Sequence, residues 1–513
     1  MQSANRIIFN SVILYLKIVI CMAISLITVP LVLHALGNSD YGLFNLVAGV
    51  IAMLAFINGA MTVSTQRYLS VTIGEKDKTK LLEVYNLSIL LHLLIGIVIV
   101  LLIELSIPLL MRYLLNIQEG QKEAAYMLFH LLAISMFFTV ITVPFDAVLN
   151  SYENMLFFSI TGILEAVLKL IVAISLVFFT YRLEVYGIAT AAIALIIFLI
   201  KYLYCSHKYK DLYISVSSLK NKKLFVEIAS FAGWNTLSSS TFIGRNQGLA
   251  LILNHFFGIV INASYGIANQ VNSILGYFSA TIQKSINPQL MESEGLREHE
   301  RLTNLSFALT KYSVFILCAI SVPLIIELPY ILHVWLGKIP PYTTALIYPV
   351  IMLAIITQAS SGFMSAVQSS GHIKAYTITV CVLTFSGLVL SYYVLKYGGS
   401  PASAIWAICA AEIIVFFSRA YFAWRLQQIS IVSYLRKTIF PNIFLALFVG
   451  LCLYGCTKVF EPSFYRLCMI CLLDIILFCG LGFLFFLNNN ERLYIKKILS
   501  NLQKKSQHRR IIC

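Results

Sequence analysis

The fold class is decided by residues 84–111, VYNLSILLHLLIGIVIVLLIELSIPLLM, a stretch whose only acidic or basic residue is Glu104, His92 being counted as neutral. Runs of this kind recur along the whole chain. About 20 apolar residues are enough for a helix to cross the hydrocarbon core of a bilayer. Because lipid cannot hydrogen-bond backbone groups, a crossing segment must be a helix or part of a closed barrel. Barrel strands are shorter and alternate. The sequence therefore predicts an all-α membrane protein.

The composition of the whole chain supports the same fold class. Of its 513 residues, 59% are hydrophobic and 12% are charged, whereas soluble domains carry roughly a quarter charged residues. The mean hydropathy is +0.85. The apolar runs predict about fourteen transmembrane helices, the first of them within Ile7–Leu36, which is too long for the apolar region of a signal peptide. The eleven cysteines fall almost entirely in apolar runs, so no disulfide framework is expected.

Lysine and arginine are distributed unevenly between the two sides of the predicted bundle. With the N-terminus inside, 24 of them fall in inner segments and 7 in outer segments. This excess predicts that both termini are cytoplasmic. It also explains the net charge of +15, since basic inner loops face anionic membrane lipids. Nucleic-acid binding is not expected, because no basic soluble domain is present.

An internal repeat is visible in pairs of short matches separated by 218 to 224 residues. Examples are Tyr41-Gly42 with Tyr265-Gly266, Gly74 with Gly295, and Lys201 with Arg419. Six spans in each repeat give both halves the same orientation, a parallel repeat whose substrate path is expected between the halves. The predicted organisation is an N-terminal six-helix lobe over 1–205, a basic cytoplasmic linker over 206–224, a C-terminal six-helix lobe over 225–425, two additional transmembrane helices over 426–487, and a basic cytoplasmic tail over 488–513.

Polar residues concentrate in spans one, two, seven and eight, which hold equivalent places in the two halves. Charges within spans usually face a cavity or a partner. The predicted cavity cations are Lys17, Arg67, Arg245 and Lys284. The predicted polar lining comprises Asn58, Thr62, Asn235, Asn246, Asn269, Asn272 and Gln283. The competing interpretations are snorkelling lysines, packing through small residues, and anchoring at the membrane interface.

The chemistry of this predicted cavity favours an anionic, sugar-bearing substrate. Amides and hydroxyls can bind sugar hydroxyls, and lysine and arginine can bind phosphate. The sequence contains no metal-ligand pair, nucleophile elbow or phosphate-binding loop, so neither an enzyme, a metal site nor a bound cofactor is expected. A proton or sodium gradient is left open as the energy source. The candidate proton-carrying carboxylates are Glu104, Asp146, Glu327, Glu412 and Asp474.

Three stretches carry a family resemblance: residues 36–44, LGNSDYGLF; Gln66-Arg67-Tyr68 with the GEKD loop at 74–77; and PFDAVLNSYENM at 144–155, continuing to ILEAVLKL at 163–170. Through them the chain resembles the Wzx-type polysaccharide flippases of the multidrug/oligosaccharidyl-lipid/polysaccharide exporter superfamily. The resemblance implies a bacterial plasma (inner) membrane protein that moves undecaprenyl-diphosphate-linked repeat units of O antigen or capsule to the outer leaflet by alternating access. It also implies other polysaccharide-assembly proteins as partners.

Three alternatives stay open at this point. A cation-coupled multidrug exporter of the same superfamily would share the fold, although a cationic cavity disfavours cationic drugs. A lipid II flippase would also need positive charge. A membrane polysaccharide polymerase or ligase is expected to have a large outer loop, and the outer loops here are short.

Overall fold

The protein is described here by a computed structural model, which describes residues 3–52, 55–109, 111, 122–336 and 339–483. Within these residues every regular element is helical. The predicted cytoplasmic tail at 488–513 lies outside the described residues. The helices are α1 (Ser3–Ala52), α2 (Ala55–Glu75), α3 (Lys78–Leu109), α4 (Lys122–Ser151), α5 (Met155–Ser175), α6 (Arg182–Lys208), α7 (Lys222–Gly295), α8 (His299–Leu336), α9 (Thr343–Ala359), α10 (Ser361–Ser370), α11 (Lys374–Lys396), α12 (Pro401–Gln427), α13 (Ile431–Tyr434), α14 (Phe440–Thr457) and α15 (Phe464–Leu481).

The prediction of an all-helical multi-pass membrane protein is confirmed. In the described part of the chain, ten helices are long and apolar enough to cross a membrane, or eleven if α9 and α10, bent by 41°, form one span. The three remaining predicted spans are the second, seventh and eighth. They fall on α2 with the end of α1, and on the two parts of α7, which are too polar to qualify by composition alone. Their polarity sets these helices apart from the lipid-facing ones.

Two glycines break the long helices at equivalent points. Gly37 in α1 has φ 76° and Gly258 in α7 has φ 77°, a left-handed conformation that glycine adopts without a Cβ clash. These glycines are 221 residues apart, as are Gly74 and Gly295 farther along. The structure therefore supports the repeat but corrects one match. The pairing of Tyr41 with Tyr265, 224 residues apart, is out of register by nearly one helical turn.

The helices form two lobes and an attached pair. In the N-terminal lobe, α4 packs on α3 and α6 while α1 packs on α5; in the C-terminal lobe, α12 packs on α11 and α9. The helix α2 runs along α7 of the opposite lobe. The pair α14 and α15 packs on α8 through apolar residues such as Val449 and Phe478. The linker after α6 is fixed to α3 by Asn86, whose side chain bonds the backbone of Tyr213 and Ser215.

Candidate functional site

Three lysines converge on one phenylalanine ring at the boundary of the two lobes. The Nζ atoms of Lys284, Lys17 and Lys201 lie 3.3, 4.3 and 5.6 Å from the ring centroid of Phe158. Lys17 belongs to α1, Lys201 to α6 and Phe158 to α5, whereas Lys284 comes from α7 of the C-terminal lobe. A cation over an aromatic face is attracted by the ring quadrupole. We call Lys17, Lys201, Lys284 and Phe158 the lysine cluster.

The lysine cluster carries more positive than negative charge. Lys201 pairs with Asp146 of α4, with Nζ and Oδ1 2.7 Å apart. Nearby on α5, Lys169 and Glu165 pair with each other at 2.6 Å, so their charges cancel. Around the ring of Phe158, three ammonium groups are therefore balanced by the single carboxylate of Asp146. This arrangement can bind an anion that enters between the lobes.

Arg245 lies apart from this cluster, inside the C-terminal lobe. Its guanidinium donates to Glu412 of α12 at 3.0 Å, and the same carboxylate lies 3.1 Å from Arg419. Arg419 also donates to the hydroxyl of Ser360 at 2.6 Å. The side chains of Arg245 and Glu412 are only 4% and 3% exposed. Glu412 therefore neutralises much of the charge that Arg245 could offer to a substrate, and the role of Arg245 in substrate binding stays a prediction.

Arg67 lies between the lobes but close to their ends. Its Nε donates to the carbonyl oxygen of Ser369 in α10 at 3.0 Å. Its guanidinium carbon lies 5.0 Å from the ring centroid of Phe231 in α7. Arg67 is buried, and through these contacts it joins the two lobes.

The predicted polar lining is divided between buried and open positions. Asn235 is buried with its amide nitrogen unpaired, and Asn58 has an unpaired carbonyl oxygen. The hydroxyl of Thr62 donates to the backbone carbonyl of Asn58 at 2.7 Å. Half-buried side chains are found at Asn246, Asn269, Asn272 and Gln283. Amides without an internal partner are suited to bind water or a polar ligand.

The lobes are joined at the end where α1 begins, which we call the inner end after the predicted topology. Here Ser11 bonds Ser285 at 2.8 Å, and Tyr15 donates to the carbonyl of Phe278 at 3.0 Å. Tyr68 donates to Glu227 at 3.2 Å, and Gln289 donates to Glu153 at 2.9 Å. All four bonds connect the N-terminal lobe to α7. Together with the Arg67–Ser369 bond they form the inner interface.

Gly74 and Gly295 bring the backbones of α2 and α7 together in this interface. A Cβ on Gly74 would lie 2.3 Å from the carbonyl oxygen of Glu292, and one on Gly295 would lie 2.0 Å from that of Val71. Both contacts join residues whose repeat counterparts, 221 positions away, make the reciprocal contact. The pseudo-twofold axis therefore passes between the two glycines. By contrast, a Cβ at Gly266 or Gly276, farther towards the outer end of α7, would meet no atom within 4 Å.

Sequence reasoning found part of this arrangement. Lys17 and Lys284 were predicted as cavity cations, and the structure brings them together. It does not bring Arg67 or Arg245 into the same cluster. Lys201 and Phe158 were not predicted as site residues. The signal for Lys201 was its position in the apolar run IFLIKYLY at 197–204, whereas nothing local distinguishes Phe158 from a lipid-facing aromatic residue.

Comparison with known proteins agrees with this geometry. The family model MatE matches residues 13–175. The crystal structure of a mutant MATE has a TM-score of 0.73 at 15% identity, over 83% of this chain and 98% of its own. An outward-facing multidrug resistance MATE family transporter of the MOP superfamily has a TM-score of 0.72 at 14% identity, over 84% of this chain and 98% of its own.

The chain has the MATE fold. A second MOP superfamily transporter, from Pyrococcus furiosus, has the same TM-score, 0.72, and 14% identity over 84% of this chain and 98% of its own, and it is described by a binding pocket of reversed polarity and a different function. The search of curated proteins found no match. The matched MATE structures are transporters, in agreement with the prediction of a transporter and not an enzyme. Nothing in these comparisons supports the Wzx-type specificity expected from the sequence.

Proposed function

We propose that this protein is a membrane efflux transporter of the MOP superfamily that works by alternating access of its two lobes. The observation that carries the proposal is a MATE fold closed at the inner interface, with the lysine cluster at the lobe boundary and open space beside Gly266 and Gly276. Such a transporter alternates between closure at one end and closure at the other, around a fixed site between its repeats. Its placement in the bacterial inner membrane, with both termini cytoplasmic, rests on the 24 to 7 charge asymmetry.

The comparisons favour the exporter alternative over the polysaccharide flippase. Among the structures of this fold, the one described by a substrate class is a multidrug resistance transporter. The MatE model is a second, independent reason to prefer an exporter of this superfamily. We therefore place multidrug-type efflux first.

The lysine cluster favours anionic amphiphiles among the substrates of such an exporter. Three ammonium groups within 5.6 Å of one ring centroid repel a cationic drug and attract a carboxylate or phosphate. The ring of Phe158 offers an apolar surface beside them. A flippase for lipid-diphosphate-linked oligosaccharide is the second candidate, because the lysine cluster and the half-buried amides of α7 fit its charge and its sugar hydroxyls. Its partners would be membrane lipids and polysaccharide-assembly proteins.

Transport by purified protein in proteoliposomes tests these assignments. The cargoes are an anionic amphiphilic dye, a cationic dye and a fluorescent lipid-diphosphate oligosaccharide. We expect uptake of the anionic dye, and we expect Lys17→Ala with Lys284→Ala to slow it about tenfold, because a lost charge pair in a partly desolvated site is worth on the order of 1.4 kcal/mol. Lys396→Ala, an exposed lysine at the end of α11, is the matched control and should transport normally.

The outcomes separate the candidates. Transport of the oligosaccharide lipid alone would favour the flippase. Transport of the cationic dye, unaffected by the lysine substitutions, would contradict the role of the lysine cluster. No transport of any cargo against a proton or sodium gradient, by protein that is correctly folded, would contradict the exporter.

A further inference from the structure

Glu153 is a buried carboxylate at the junction of three elements. It lies in the turn between α4 and α5, outside the spanning helices, with φ 54° and a side chain 3% exposed. Arg6 of α1 approaches it with Nε at 3.0 Å from Oε2 and a terminal nitrogen at 2.8 Å from Oε1. Asn10 donates to it at 3.4 Å, and Gln289 donates from the opposite lobe at 2.9 Å.

The bond from Gln289 makes Glu153 sensitive to the separation of the lobes. Arg6 and Asn10 belong to the same lobe as Glu153, so their bonds can persist when the inner end opens. Gln289 belongs to α7, and its amide leaves when α7 moves away. Opening would also admit water to a side chain that is now excluded from it.

We propose that Glu153 is a proton-binding site of the transport cycle, whose occupation favours closure of the inner end. This inference rests on the proposed function, since it assigns a role within alternating access. The step is the binding of one proton from water to a carboxylate oxygen, without any other reactant. In the neutral form the carboxyl group still accepts the amide of Gln289, while it no longer carries a buried negative charge.

The charged groups around Glu153 determine the direction of the effect. Burial raises the pKa of Glu153 above its ordinary value, and the hydrogen bond from Gln289 and the charge of Arg6 lower it by less. Glu292 of α7 raises it further, because a second negative charge disfavours ionisation. In the open form, water would return the pKa towards that of a free carboxyl group. The closed form therefore binds the proton more tightly, and falling pH favours it.

Distances between spin labels across the inner end test this inference. The labels are carried by unnatural amino acids at Lys208 and His372, exposed residues of the two lobes, because the chain has eleven cysteines. In wild-type protein in nanodiscs, we expect the ratio of short to long distances to rise about threefold or more between about pH 8 and about pH 5.5. Glu153→Gln should remain mainly closed at both values.

Two further variants control this measurement. Glu294→Gln removes a carboxylate of the same end that also accepts a glutamine amide, from Gln427 at 2.9 Å, but within one lobe. It should keep the wild-type pH response. Gln289→Met removes the amide that crosses between the lobes, and it should reduce the closed population about threefold at both pH values.

A pH response in Glu153→Gln equal to that of the wild type would overturn the inference, as would a wild-type ratio that does not change with pH. In either case two distances would still be present, and alternating access would stand. A single distance in every variant and at every pH would overturn both the inference and the proposed function.

Discussion

Alanine at Gly295 is expected to reduce transport at least about tenfold while leaving the protein folded and inserted in the membrane. The added Cβ would lie 2.0 Å from the carbonyl oxygen of Val71 and 3.1 Å from the backbone nitrogen of Glu75. Backbone atoms cannot move aside as a flexible side chain can, so α2 and α7 must separate. Such a shift weakens the four bonds between the N-terminal lobe and α7 in the inner interface, and a site held about 1 Å out of place loses much of its activity.

The control for this experiment is Gly276→Ala on the same helix. A Cβ there meets no atom within 4 Å, so transport should remain close to that of the wild type. Uptake of the anionic dye by proteoliposomes gives the rate, and size-exclusion chromatography shows whether the protein is folded. Unchanged transport by Gly295→Ala would contradict the view that the close contact of these helices is needed for closure of the inner end.

Removing the carboxylate of Glu412 should destabilise the C-terminal lobe by about 3–5 kcal/mol. Glu412 is buried against two guanidinium groups, those of Arg245 and Arg419. Glu412→Ala would leave both positive charges in an apolar interior without a counter-charge. The expected result is a large fall in the midpoint of thermal unfolding in detergent, and poor yield.

Glu298→Ala provides the comparison for Glu412→Ala. Glu298 pairs with Arg301 at 3.1 Å, and their side chains are 47% and 33% exposed. An ion pair of this exposure contributes about 0–1 kcal/mol, because water solvates both charges when the pair is broken. Equal unfolding midpoints for the two variants would contradict a structural role for the Arg245–Glu412–Arg419 network.

The sequence was a sound guide to which helices face lipid and which do not. The polarity of the second, seventh and eighth predicted spans identified the helices that form the boundary between the lobes, since lipid does not tolerate such a composition. The same reasoning could not separate Arg245 from Lys17. Both are basic residues within spans, and what distinguishes them is a carboxylate 167 positions along the chain in one case and an aromatic ring in the other.

The inner interface shows the same division. The correspondence of Gly74 and Gly295 was visible as a repeat, yet the contact of each with the opposite helix was not. Glu153 gave no signal of its own, because an acidic residue in a short inner loop is usually solvated. Its burial depends on α1 and α7 arriving together at the turn between α4 and α5.

By itself, the sequence determined that this chain is a bundle of membrane helices built from two parallel repeats, with its polar helices between them. Those features follow from local composition, because a bilayer requires each crossing segment to satisfy its own backbone and to hide its charges. Only the tertiary structure decided which charges meet: the lysines around Phe158, Arg245 with Glu412, and Glu153 with Arg6 and Gln289. Such pairs depend on the rotation and crossing of helices far apart in the chain, which no local pattern encodes.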